Sequence, residues 1–141
     1  MTQTRGEKNN NPGNVERTAT VWQGMAQQQT DPRFIVFTNP HFGIRALARI
    51  LSNYYREDGL NTVAGIIARW APPKKDNVQE NDTVAYINHV CAVCGVGEDA
   101  ILKVDDPDCL EMLARAIILH ENGRCIYDDA TIVGAVDSAL A

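Results

Sequence analysis

Glu121 is the residue whose type and position point most directly to chemistry. It stands in His120-Glu121-Asn122-Gly123, at the end of an apolar helical pattern, where the negative end of the helix dipole would favour Lys or Arg. The dipole and any desolvation both disfavour the charged form of a carboxyl placed there, which keeps a proton available near neutrality, as a general acid requires. An ordinary solvated last-turn residue fits the same position, and the sequence leaves both roles open. A second signal is the run Asn9-Asn10-Asn11-Pro12-Gly13-Asn14. Asn side chains bind backbone groups or the hydroxyls of a ligand, so the run is either a self-capped turn or a loop suited to a carbohydrate or peptide. A two-carboxylate glycosidase would draw its other acid from Glu7, Glu16 or Asp31, in or near that loop. Trp22, Trp70, Tyr54, Tyr55 and Tyr86 are available as sugar-stacking faces or as core.

Other groupings carry less. Cys91-Ala92-Val93-Cys94 has the gap of a zinc half-site, with His89 nearby and Cys109, His120 and Cys125 further on. Both thiols fall on the apolar side of a helical pattern, which reads as core, so reduced thiols, no metal and no cofactor are expected. His120 and Glu121 are adjacent on a helix and point about 100° apart, so they do not face each other, and His41 and His89 have no visible partner. Neither a Gly-rich phosphate loop, a nucleophile elbow nor a metalloprotease helix motif is present. Carboxylate chemistry or binding remains.

The elements that must position these residues are mostly helical. Asp106 as N-cap, Pro107 at the first helical position, Asp108 in the first turn and Gly123 beyond the last turn delimit the helix that ends at Glu121. Leu110, Leu113, Ala114, Ile117 and Ile118 are its buried stripe. Asn39-Pro40 starts a helix running to Gly59, with Arg45, Arg49 and Arg56 on its wet side. Leu60-Asn61-Thr62 caps a short helix stopped by Pro72-Pro73, and Lys74 to Asn81 is a charged loop. Asp82 caps a helix closed by Gly95, and Asp128 or Asp129 caps the last one. Val21-Trp22-Gln23-Gly24-Met25 and Arg33-Phe34-Ile35-Val36-Phe37-Thr38 predict a small two-stranded ribbon. The fold class expected is mainly α, an α+β domain with a two-stranded β ribbon near its N-terminus.

With 141 residues, one domain is expected: a flexible start over 1–8 and a globular unit over 9–141. The net charge of -5 argues against a general nucleic-acid partner. Neither an apolar leader nor a run long enough to span a bilayer appears, so no export signal and no membrane insertion are expected.

From residue 5 to about 127 the chain resembles a group of small phage proteins. Their Arg-Gly-x-x-Asn-Asn-Asn-Pro-Gly-Asn start is matched by Arg5-Gly6 and Asn9 to Asn14, and their Trp-Gln-Gly segment by Trp22-Gln23-Gly24. Phe34 to Ala46, Arg69 to Pro73, Ala85 to Ile87 and His120 to Gly123 match further segments. The resemblance implies a virion structural or lysozyme-like protein. More loosely, the chain is similar to lytic transglycosylases of the lysozyme superfamily in permuted order. Leu113 to Asn122 looks like the glutamate helix, Asn9 to Asn14 and Trp22 to Met25 like the polar loop and β lobe, and Ala85 to Val90 like the tyrosine helix.

That similarity implies a lysozyme-like fold in which Glu121 is the catalytic acid. Asn10, Asn11, Asn14, Trp22 and Gln23 would bind the substrate, and Tyr86 would orient the acid. The implied partner is the glycan strand of peptidoglycan, with other virion proteins as further partners. The implied locations are the host cytoplasm during synthesis, the virion, and the periplasm or cell wall during action. A non-catalytic virion structural or adaptor protein is the alternative, and one pocket joining Asn11, Gln23, Tyr86 and Glu121 would favour catalysis over it.

Overall fold

The computed structural model describes residues 2–141, apart from the side chain of Lys75. Six helices account for most of it: α1 (Arg5–Lys8), α2 (Pro40–Asp58), α3 (Val63–Trp70), α4 (Thr83–Cys94), α5 (Pro107–Asn122) and α6 (Asp129–Leu140). Their ends follow local chemistry. Asp106 accepts from the Asp108 and Cys109 amides, Asp82 from Ala85, Asp128 from Thr131 and Thr62 from Gly65. Gly59, Gly95 and Gly123 close α2, α4 and α5 in the left-handed conformation.

The apolar stripe of α5 forms the centre of the main core. Leu110, Leu113, Ile117 and Ile118 are fully buried, with Ile44, Leu47 and Leu51 of α2, Ile66 and Ile67 of α3, Val90 of α4, and Ile132 and Val136 of α6. Helix α2 packs chiefly on α6 and also on α5, which itself touches α6, while α4 packs on α5 and α3. Arg49, expected on the wet face of α2, instead donates to the Ala139 carbonyl at 3.0 Å and so satisfies an orphan acceptor at the end of α6.

The expected ribbon from Val21 to Thr38 is not formed. Only isolated bridges appear there, Glu16 with Phe34 and Met25 with Phe37, because side-chain amides occupy the ladder positions. Gln29 accepts from the Val36 amide at 2.8 Å and donates to the Val36 carbonyl at 2.8 Å, which also accepts from the Ala26 amide, so backbone pairing stops at the Met25–Phe37 bridge. Asn11 donates to the Val15 and Ile35 carbonyls and accepts from the Val15 amide. Ile35 and Phe37 still alternate inward, forming with Val15 and Ala46 a small second core beneath Trp22, Met25 and Phe42. The regular strands lie in the stretch read as a charged loop: β1 (Lys74–Lys75) pairs antiparallel with β2 (Val78–Gln79). Asp76 and Asn77 between them have φ of 52° and 64°, a type I′ hairpin turn for which Asp and Asn are suited.

Where composition suggested a flexible start, Arg5–Lys8 is a helical turn closed by a capping box between Thr4 and Glu7. Glu7 is buried and paired with Arg124 at 2.6 Å, and Thr4 Oγ1 donates to Asn122 at 2.6 Å. Two glycines permit this closeness. A Cβ on Gly6 would lie 2.7 Å from Asn122 Oδ1, and one on Gly43 would fall on the Asn10 carbonyl oxygen.

Candidate functional site

Glu121 sits half-buried in the last turn of α5, at the floor of an open cleft of about 250 Å³. One wall comes from the N-terminal segment, with Asn14, Val15, Glu16, Arg33 and Phe34. The other comes from α2 and α3, with Ile50, Tyr54 and Trp70. Phe34 is flanked by two guanidinium groups, with Arg5 4.5 Å and Arg33 5.0 Å from its ring centroid. The cleft therefore combines aromatic faces with a carboxyl floor, a lining suited to a polyhydroxylated ligand.

Two side chains hold the two oxygens of Glu121. Asn14 Nδ2 donates to Oε1 at 2.8 Å and the Tyr86 hydroxyl donates to Oε2 at 2.7 Å. Asn14 is in place because it adopts φ of 52° at the end of the Asn run, with its amide bonded to the Asn11 carbonyl. Tyr86 is in place because the inner face of α4 packs on α5, burying its ring. Burial, then the charge and hydrogen bond of Glu121, push the Tyr86 phenol far above its ordinary range, and Trp70 opposes this weakly. The phenol is accordingly a permanent donor to Glu121. His120 lies flat on the same ring, centroids 3.6 Å apart and planes 28° apart. Adjacent helical residues thus address Tyr86 twice, His120 through the ring face and Glu121 through the hydroxyl.

The other sequence candidates lie elsewhere. Asn11 is fully buried in backbone bonds and Asn10 donates to the Phe37 carbonyl at 3.0 Å; both brace the loop. Trp22 covers the second core, and Gln23 is exposed outside the cleft lining. Tyr86 is buried behind Glu121, where it positions the carboxyl without itself lining the cleft. The cleft at Glu121 is not lined by Asn11, Gln23 or Tyr86. Of the three N-terminal acids, Glu7 is held by Arg124 and Asp31 by Arg5, Asn9 and the Arg33 and Phe34 amides. Those partners hold the Glu7 carboxyl down to about 2 and that of Asp31 lower still, with the arginine bond the leading cause in each. Glu16 is the one of the three that borders the cleft, with its carboxylate on Arg33 at 2.6 Å.

Sequence reasoning passed over Arg33, Phe34 and His89. The available signal for His89 was its three-residue spacing from Tyr86, which puts both on one face of α4; its Nδ1 is 2.9 Å from that of His120. All four cysteines are free, three half-buried and Cys125 exposed, and burial pushes the Cys94 thiol up to about 11. Among the described residues no group of three or more His, Cys, Asp or Glu is placed to hold a metal ion, and no helix is long and apolar enough to cross a membrane.

A mainly helical domain with a braced carboxyl at the end of a buried helix is the class that fold and site define. Within that class the chain has a clear relative. It is 40% identical over 126 residues to Protein P5 of Pseudoalteromonas phage PM2, an alignment covering 87% of this chain and 74% of that protein. The chain belongs to the family of that phage protein. No family model matches it.

Proposed function

We propose that this chain is a virion-associated phage protein whose cleft takes a peptidoglycan glycan strand and cleaves it between muramic acid and glucosamine units. The phage relative supports the first part. The observation that carries the second is Glu121 held on both oxygens by Asn14 and Tyr86 at the floor of an aromatic cleft. The arrangement also supports the permuted lysozyme-like reading, which requires the N-terminal loop to fold back against Glu121. Protein synthesised in the host cytoplasm would be packaged in the particle and act in the periplasm or cell wall.

In a lytic transglycosylase mechanism one acid suffices. Glu121 gives its proton to the glycosidic oxygen as the C1–O bond breaks. It then takes the proton of the muramic 6-hydroxyl as that oxygen bonds to C1, closing a 1,6-anhydro ring and regenerating the acid. Tyr86 and Asn14 keep the carboxyl aimed throughout. Hydrolysis would instead use a second carboxylate; the other acid lining the cleft is Glu16, whose carboxylate is engaged by Arg33.

A non-catalytic virion structural role is the second reading. It is favoured by the phage relative and by the bracing character of the Asn14–Glu121 bond, which ties chain segments 107 residues apart. Mass spectrometry of purified peptidoglycan treated with wild type and with Glu121→Gln separates the readings. Anhydro-muropeptides from wild type alone establish the transglycosylase, and reducing-end products the hydrolase. No soluble product from folded wild type sinks the catalytic reading in favour of the structural one.

A further inference from the structure

Two histidines outside the cleft complete the support of Glu121. His120 Nδ1 and His89 Nδ1 are 2.9 Å apart, a contact that needs a proton on one nitrogen and a lone pair on the other. With both rings neutral, one tautomer donates to the other. With one added proton the bond is charge-assisted and persists. Adding the second puts two N–H groups and two charges nose to nose, and the contact must open. His120 cannot move alone, because its other face lies on the Tyr86 ring, whose hydroxyl donates to Glu121.

We infer that His120, held by His89, is a positioning residue for Glu121 acting through Tyr86, and that double protonation of the histidine pair releases the carboxyl from its aimed geometry. The inference rests on the reading of Glu121 as the working acid only for its functional consequence; the structural linkage stands independently. The ionisable groups facing His120 are His89 and Tyr86 from α4 and Glu121 beside it on α5. Burial lowers the His120 pKa, the charge of His89 lowers it further, and Glu121 opposes both. A lowered imidazole favours the neutral ring in the folded state, so the arrangement is fully present above the ordinary histidine range and lost as the pH falls beneath it.

The test is an NMR titration of the full chain, following the imidazole nitrogens of His89 and His120 and the ring signals of Tyr86. Wild type should show two histidine steps separated by about one pH unit or more, with the Tyr86 signals following the lower one. In His89→Gln the amide bonds His120 in either protonation state, and the Tyr86 response should disappear. In His120→Phe the stack remains without the nitrogen contact, and Tyr86 should be insensitive over the same range. Independent titration of the two histidines, or a Tyr86 response unchanged in either variant, overturns the proposal. If wild type cleaves peptidoglycan, the acid limb of its rate profile should move to lower pH in His89→Gln. Absence of cleavage sinks the catalytic reading, while the NMR result still decides the histidine linkage.

Discussion

Replacing Tyr86 with Phe isolates one atom of the site. The ring stays, so its burial and its stack on His120 are retained, and the hydroxyl that donates to Glu121 Oε2 at 2.7 Å is removed. Deleting a buried hydrogen-bond donor and leaving its partner unsatisfied costs roughly 1–3 kcal/mol. Loss should lower the midpoint of thermal unfolding by about 4–10 °C for a chain of this size. The effect should depend on Glu121. In a Glu121→Ala background the hydroxyl has lost its acceptor, and the double-mutant cycle should give a coupling of about 1 kcal/mol or more. Urea unfolding of the four proteins measures it. A Tyr86→Phe cost below about 0.5 kcal/mol, or a cycle that closes without coupling, would refute the view that Tyr86 holds the carboxyl.

Acid should weaken the anchoring of the N-terminus. The folded pKa of Glu7 is lowered to about 2, chiefly by Arg124, so its contribution is present above the ordinary carboxylate range and lost as the pH falls through about 2. Urea midpoints measured down the acid range should fall less steeply for Glu7→Gln than for wild type, and equal slopes contradict the assignment. Gly43→Ala tests the close approach of α2 to the Asn loop. Its Cβ would overlap the Asn10 carbonyl oxygen, which is backbone and cannot swing away, so a cost of about 3 kcal/mol or more is expected. Wild-type melting behaviour in the Gly43→Ala variant would mean that the loop does not lie on α2.

Helix ends were readable because they depend on neighbours a few residues away. Asp106, Pro107 and Gly123 specify α5 within one turn at each end, and the observed helix stops where they place it. The ribbon was misread for the opposite reason. Ile35 and Phe37 alternate inward as strand residues do, but the amides of Gln29 and Asn11 interrupt the backbone pairing beyond the Met25–Phe37 bridge, and nothing in a β-period announces a side chain as its partner. Asp76-Asn77 did carry a hairpin signal, obscured by the charges around it. The same limit applies to the cleft. Glu121 stood out by its position at a helix end, while the choice of Asn14 over Asn10 and Asn11 depends on backbone turns set by contacts with residues far along the chain.

Links from the start of the chain to the end of α5 include Thr4 to Asn122, Glu7 to Arg124, Arg124 to the Thr2 carbonyl, Asn122 to the Pro12 carbonyl, and Asn14 to Glu121. Each spans more than 100 residues of sequence, so each carries a loop-closure cost that the helical core does not. The main core of α2, α5 and α6 draws its apolar side chains from residue 44 onward, and Gly13 of the N-terminal segment lies against one of them, Leu47. The side of the cleft formed by Asn14 and Glu16 depends on these long-range links, and in native-state hydrogen exchange its amides should exchange faster than those of α5. Tyr86 differs in kind, since it reaches Glu121 from within the main core. One oxygen of the carboxyl is thus held from within the main core and the other from the N-terminal segment. Detachment of that segment would leave Glu121 aimed by Tyr86 but open on the Asn14 side, so that opening the cleft need not disorder the acid.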